Sequence, residues 1–154
     1  MPIDESNRSG TDPNPLKLEN QLCFPLYAAA RKVVSLYTPF FKPLGITYTQ
    51  YIVFLVLWEE GTSSVRSLCR KLYLDSGTLT PLLKKMEEAG YVVRCRSKED
   101  ERIMNVTLTP KGEALRESVS AIPSQVGSCI SLSPDEAFTL YRLLYKILEQ
   151  DQTP

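Results

Sequence analysis

Residues 72–90, LYLDSGTLTPLLKKMEEAG, decide the fold. Asp75 is a good N-cap, its carboxylate placed to accept from the backbone N–H of Gly77 or Thr78, and Gly90 supplies the residue that helices favour just past their C-terminus. Between them Leu79, Leu82, Leu83 and Met86 recur at helical spacing as one apolar stripe. The opposite face carries Ser76, Thr78, Thr80, Lys84 and Lys85. Hydroxyls near the N-terminal end and lysines further along suit a helix that enters a major groove by its first turns and meets phosphates on its flank. An ordinary amphipathic helix with a solvated polar face has the same pattern, since lysine pairs are common on surfaces. The neighbouring segments decide between the two.

On the N-terminal side, residues 65–72 read as a short helix with Leu68, Cys69 and Leu72 inward, and YLDSG joins it to the next. Two short helices with so tight a connection are the mark of a helix-turn-helix. Residues 61–64 read as a turn. Before them Thr47 caps a helix over 48–59 that is apolar nearly all round (Tyr51, Ile52, Phe54, Leu55, Leu57, Trp58) and so belongs at the centre of the core. On the C-terminal side the period changes to two. Tyr91, Val92 and Val93 lead into RCRSKEDERIMNVTLT (94–109), a β-hairpin with a charged tip. Such a wing carries Arg94, Arg96, Lys98 and Arg102 towards a minor groove or flanking phosphates. Glu99, Asp100 and Glu101 favour a solvated turn at the tip, and Asp100 with Arg102 reads as an ion pair that shapes it.

Further out, residues 1–15 are polar and proline-rich and read as a disordered leader, with 151–154 as a tail. Leu18, Leu22, Leu26, Ala29, Val33, Leu36 and Phe40 line one face of a long helical region over 16–43, in which Pro25 predicts a bend or the start of the regular part. Thr109-Pro110 starts a helix running to about Ile122, where Pro123 bends or interrupts it, and Ser133-Pro134-Asp135-Glu136 is a capping box opening the last helix. The expected fold is mainly α with a small β-wing, in one domain over 16–150. Within it, 47–109 forms the DNA-binding winged helix, flanked by dimerisation helices over 16–44 and 110–150. The apolar stripes of those helices exceed what a small winged domain can cover, so a second copy of the chain is the expected partner.

The whole chain is neutral, with 18 basic and 18 acidic residues, but residues 64–111 hold ten Lys or Arg against six Asp or Glu. That segment is therefore +4 and the remainder −4, the distribution expected if one region meets phosphates. The four cysteines (Cys23, Cys69, Cys95, Cys129) are scattered, and histidine is absent, which excludes a histidine-containing zinc site and disfavours a four-thiolate one. No cofactor motif is present. The polar start and the lack of a long apolar run indicate neither a membrane span nor a secretory signal, so a cytoplasmic protein is expected. In that reducing compartment the cysteines are free thiols, and a lone cysteine on an apolar helical face is usually core.

From Leu18 through Leu115 the chain resembles the MarR family of winged-helix regulators, in particular its organic hydroperoxide sensors, the OhrR group. The stretches that carry the resemblance are ENQLCFPLY (19–27), LGITYTQYIVFLVLWE (44–59), LYLDSGTLTPLLKKMEEAG (72–90) and RSKEDERIMNVTLTPKG (96–112). It implies a triangular homodimer built from the terminal helices. It also implies that Cys23, in the NQLCF motif, is the peroxide-reactive thiol, with Tyr37 and Tyr48 at the positions whose phenols hold the thiolate. Cys129 falls in the region where some members carry the cysteine that captures the sulfenic acid across the dimer; a small cellular thiol is the other resolving agent. Cys69 and Cys95 acquire no role. The expected function is a non-enzymatic repressor that binds double-stranded operator DNA when Cys23 is reduced and leaves it on oxidation by organic hydroperoxide. Three readings compete with it: release by a non-covalent aromatic ligand among Tyr27, Tyr37, Tyr48 and Trp58, a thiol peroxidase, and a winged helix used only for protein contacts.

Overall fold

The computed structural model describes residues 14–149. The expected tail and all but the last two residues of the expected leader lie outside them. Two compact units divide between Leu36 and Tyr37.

In the first unit a 3-10 turn, Leu18–Asn20, precedes helix α1, Cys23–Leu36. The single helical region expected over 16–43 is therefore corrected to three pieces, the third being α2, Thr38–Leu44. Proline chemistry explains the breaks. Pro25 stands in the first turn of α1, where its missing N–H is not needed, so it starts the helix and does not bend it. Pro39 does the same for α2, one residue after Thr38. No residue of α1 is buried within the chain.

In the second unit Gly45, at φ 67°, ends α2 with its N–H donating to Lys42 O at 3.2 Å. Helix α3, Tyr48–Glu60, opens with a reciprocal capping box: Thr47 Oγ1 accepts from Gln50 N at 3.3 Å, and Thr47 N donates to Gln50 Oε1 at 2.9 Å. The turn expected over 61–64 is strand β1, Thr62–Ser64. Three residues are too few to show a period, and the pairing that makes them a strand comes from residues 105–107, far along the chain. Helix α4, Val65–Leu72, is capped by Ser64 and leads through Tyr73, at φ 52°, to α5, Ser76–Glu88. The wing is β2, Val92–Arg96, against β3, Met104–Leu108, with Arg94 opposite Val106. The antiparallel sheet has the order β1-β3-β2, which leaves β2 on an open edge.

The chain ends in α6, Pro110–Val119, α7, Ile122–Ser128, and α8, Pro134–Leu148. Pro123 lies in the first turn of α7 and opens it; the helix expected to reach Ile122 stops at Val119. Ser133 and Glu136 form the expected capping box of α8. The core lies where α3, α4, α5 and the sheet meet: Val53, Phe54, Leu57, Leu68, Leu79, Leu83, Met86 and Val106 are wholly buried. Burial of each large side chain contributes about 1.5–3 kcal/mol. That stripe explains why α5 tolerates Pro81 in its interior. An interior proline costs about 3 kcal/mol, less than burial of Leu79, Leu83 and Met86 together supplies. Gly90, at φ 77°, closes α5: its N–H reaches Glu87 O at 2.8 Å and Tyr91 N reaches Met86 O at 2.9 Å, a Schellman arrangement that turns the chain into β2.

Candidate nucleic-acid interface and thiol site

Asp75 caps α5 as its position predicts. Oδ1 accepts from Thr78 N at 2.9 Å, and the Thr78 hydroxyl donates to Oδ2 at 2.7 Å. These bonds, the hydroxyl's first, hold the Asp75 carboxyl below the usual carboxylate range. The Thr78 hydroxyl proton is thus committed to the cap, whereas Ser76, Thr80, Lys84 and Lys85 stand on the exposed face of α5. Lys84 also reaches Glu88 at 3.9 Å, one turn on, an exposed pair that a phosphate can replace at little cost.

The structure divides the wing cations. Arg94, one of the four cations expected at DNA, is paired with Glu87: its Nε and Nη2 donate to Glu87 Oε2 at 2.9 and 2.7 Å. Those hydrogen bonds keep the Glu87 carboxyl below its ordinary value. Arg96 Nη1 donates to the Glu101 carbonyl at 2.6 Å and remains exposed, as do Lys98 and Arg102 at the tip. The ion pair expected between Asp100 and Arg102 is replaced by a backbone bond. Asp100 Oδ1 accepts from Arg102 N at 2.9 Å, and Asp100 O accepts from Ile103 N at 2.9 Å, so Asp100 closes the hairpin through backbone partners while Arg102 stays exposed. A carboxylate two residues before an N–H is a turn cap more readily than a partner for the long side chain between them.

Of the thiols, Cys23 is exposed at the first position of α1, the end of a helix at which negative charge is favoured. Its Sγ donates to Gln21 Oε1 at 3.8 Å, and Gln21 Nε2 in turn bonds the Pro15 carbonyl. Cys129 is exposed at the C-cap of α7, its Sγ 3.4 Å from Gln125 O. Cys95 is exposed on β2 and Cys69, expected inward, is half-buried on α4.

Tyr37 and Tyr48 come together in the second unit, ring centroids 4.9 Å apart. A third phenol, which the sequence reading placed only in the core, completes the group: Tyr51 lies 5.8 Å from Tyr37 and 6.1 Å from Tyr48. Its spacing three residues after Tyr48 on one helix was the available signal. Burial raises the pKa of all three, and their mutual proximity adds to it for Tyr37 and Tyr51. They therefore stay protonated at neutral pH, as hydroxyls must to donate to a thiolate. The rings continue through Trp58 and Phe54 to Tyr91 at the foot of the wing.

A capped helix-turn-helix followed by a basic hairpin defines the winged-helix class of transcriptional regulators. Residues 35–120 match the family described as "Transcriptional regulator SarA/Rot". Over 134 residues the chain is 46% identical to the organic hydroperoxide resistance transcriptional regulator of Bacillus subtilis, covering 87% of this chain and 91% of that protein. The structure of reduced AbfR bound to DNA has a TM-score of 0.72 at 40% identity, over 85% of this chain and 91% of that one; AbfR is a protein of Staphylococcus epidermidis. Its disulfide-formed state matches with a TM-score of 0.62 at 40% identity, over 86% and 93%. A mutant MarR of Escherichia coli in complex with operator DNA gives 0.78 at 26% identity, over 90% and 99%. The chain belongs to the SarA/Rot family within the MarR-type winged-helix regulators, in the branch of the organic hydroperoxide regulators.

Proposed function

We propose that this chain is a homodimeric, redox-sensing transcriptional repressor that binds a pseudo-palindromic operator when reduced and leaves it when an organic hydroperoxide oxidises Cys23. The observation that carries the reading is the exposed Cys23 thiol at the start of α1, in a chain 46% identical to an organic hydroperoxide resistance regulator. AbfR, which is similar over 85% of this chain or more, is known in reduced DNA-bound and disulfide forms.

In the first step the Cys23 thiolate attacks the peroxide O–O bond. An S–O bond forms, the O–O bond breaks, and the alkoxide leaves as the alcohol after taking a proton, so that sulfur is oxidised and the peroxide reduced. Tyr37 and Tyr48, whose phenols stay protonated at neutral pH, are the proposed donors to the thiolate. In the second step the Cys129 thiol of the other subunit attacks the sulfenic sulfur; the S–S bond forms and water leaves. No further electron donor enters, so the protein responds once per oxidation and is no turnover enzyme. It works in the cytoplasm, without metal or cofactor.

On DNA, α5 occupies the major groove, with Ser76 and Thr80 facing bases, Thr78 facing them only as an acceptor because its proton is held by Asp75, and Lys84 and Lys85 facing phosphates. Arg96, Lys98 and Arg102 extend the wing to the minor groove. Two recognition helices must sit roughly 34 Å apart to address consecutive half-sites, so a disulfide that moves the dimer helices breaks that register. Non-reducing gels and DNA binding after cumene hydroperoxide test the scheme. The parent yields a covalent dimer and leaves DNA; Cys129→Ser yields no covalent dimer, and Cys23→Ser stays bound. Release of Cys23→Ser as readily as the parent refutes the redox reading.

A further inference from the structure

Glu87 stands in the last turn of α5 and Arg94 in the middle of β2. The Glu87 carboxylate accepts three hydrogen bonds from this one residue: Arg94 N to Oε1 at 2.9 Å, Nε to Oε2 at 2.9 Å and Nη2 to Oε2 at 2.7 Å. The register explains the first. Thr109 N bonds Tyr91 O at 3.0 Å and Ser97 N bonds Ile103 O at 2.8 Å, which marks the hydrogen-bonded pairs of the hairpin. Arg94, opposite Val106, belongs to the alternate set, and its N–H points away from β3 at the open edge of the sheet. Glu87 fills that vacancy with one oxygen and takes the guanidinium with the other.

A single pair between exposed charges fixes a distance loosely and is worth little. Here a backbone donor and a planar guanidinium converge on one carboxylate, with Arg94 only 23% and Glu87 34% exposed, which fixes direction as well. The two ends of the clamp are the recognition helix and the wing.

We propose that Glu87 is a positioning residue for DNA binding: by clamping Arg94 it holds the wing at the angle that lets Arg96, Lys98 and Arg102 reach the duplex while α5 lies in the major groove. The inference rests on the DNA-binding reading above. Arg94 contacts no phosphate in this arrangement, because its charge is met by the Glu87 carboxylate and its Nε and Nη2 are directed at that side chain.

The test uses a duplex that the full-length reduced parent selects from a random-sequence pool, with Glu87→Gln, Arg94→Ala and the double variant. Glutamine keeps an oxygen for the Arg94 N–H, so the strand edge stays capped, and circular dichroism of Glu87→Gln shows a parent-like fold. Each single substitution lowers affinity about tenfold, the scale of one charge-assisted bond, and the double variant loses no more than either. The slope of log affinity against log salt falls by about three per protomer as the three wing cations leave the duplex. Hydroxyl-radical protection in the minor groove is lost, and methylation protection of major-groove guanines persists, a split that a general loss of stability does not produce. If Glu87→Gln binds as well as the parent, or tighter with a slope steeper by about one, Arg94 is a phosphate contact restrained by Glu87 and the proposal is overturned. A parent that selects no duplex refutes the DNA reading itself and the inference with it.

Discussion

Alanine is a better helix former than glycine by about 1 kcal/mol, so Gly112→Ala, in the first turn of α6, ought on propensity alone to stabilise the protein. The structure reverses the sign. A Cβ on Gly112 would overlap the backbone carbonyl oxygen of Tyr91 and lie 3.0 Å from Leu108 Cδ2. A backbone carbonyl has no rotamer to yield, and Tyr91 O already accepts from Thr109 N at 3.0 Å. Either α6 lifts from the foot of the wing or the wing moves. Overpacking of this kind costs about 1–3 kcal/mol. The displacement also strains the bond from Trp58 Nε1 to Gly112 O, at 3.1 Å, worth about 1 kcal/mol. Set against the propensity gain, the net is a destabilisation of about 2 kcal/mol. With a urea dependence of about 2 kcal/mol per molar, the unfolding midpoint falls by about 1 M. Trp58 is the single tryptophan, stacked on Phe54 with ring centroids 5.2 Å apart, so its fluorescence reports the perturbed contact and global unfolding together. The measurement is urea unfolding of parent and variant at one protomer concentration, because dimers unfold in a concentration-dependent way. A variant as stable as the parent, or more so, refutes the reasoning.

Tyr37→Phe and Tyr48→Phe each remove one donor to the proposed thiolate. The rate at which cumene hydroperoxide oxidises Cys23 at neutral pH falls about tenfold in each, the scale of one lost hydrogen bond to a charged group. Asp75 and Glu87 have folded-state pKa values below their unfolded ones, so their contributions are present above the ordinary carboxylate range and are lost as pH falls through the folded values. The parent therefore loses stability from about pH 5 downward, and Asp75→Asn, which keeps the cap, flattens that fall in urea titrations at several pH values. On α8 every large apolar side chain is exposed within the single chain, Phe138 at 68% and Ile147 at 48% among them. Ile147→Glu then gives a monomer in sedimentation at micromolar concentration, with loss of DNA affinity.

Local chemistry was legible where a residue's neighbours in sequence are also its partners in space. The caps at Thr47, Asp75, Thr109 and Ser133, the stop at Gly90 and the alternation of 104–108 are all of this kind. What escaped depends on partners far along the chain. Thr62–Ser64 is a strand because Val106 and its neighbours pair with it, and Tyr51 joins the phenol group because α2 brings Tyr37 beside it. The wing cations failed differently. Arg94, Arg96, Lys98 and Arg102 look alike in a charged stretch, and only the turn that sets Glu87 beside β2 separates Arg94, held by that carboxylate, from the three exposed cations. The break before Pro39 carried the same Thr-Pro signal that was used at Pro110, but the apolar stripe running through it masked the boundary.

The open edge of β2 has a second implication. An unpaired strand edge is a template for another strand, and proteins blunt it with charge, with brevity or by occupying its donors. Glu87 takes one of the outward N–H groups, and the cations Arg96 and Lys98 stand at the end of the strand and just past it. Arg96 and Lys98, proposed above as DNA contacts, thus also guard the free protein against self-association through its wing. Stripping them to alanine removes both safeguards at once, so a loss of DNA binding in such variants is confounded with aggregation. Reversal to glutamate abolishes attraction to phosphate and keeps the edge charged.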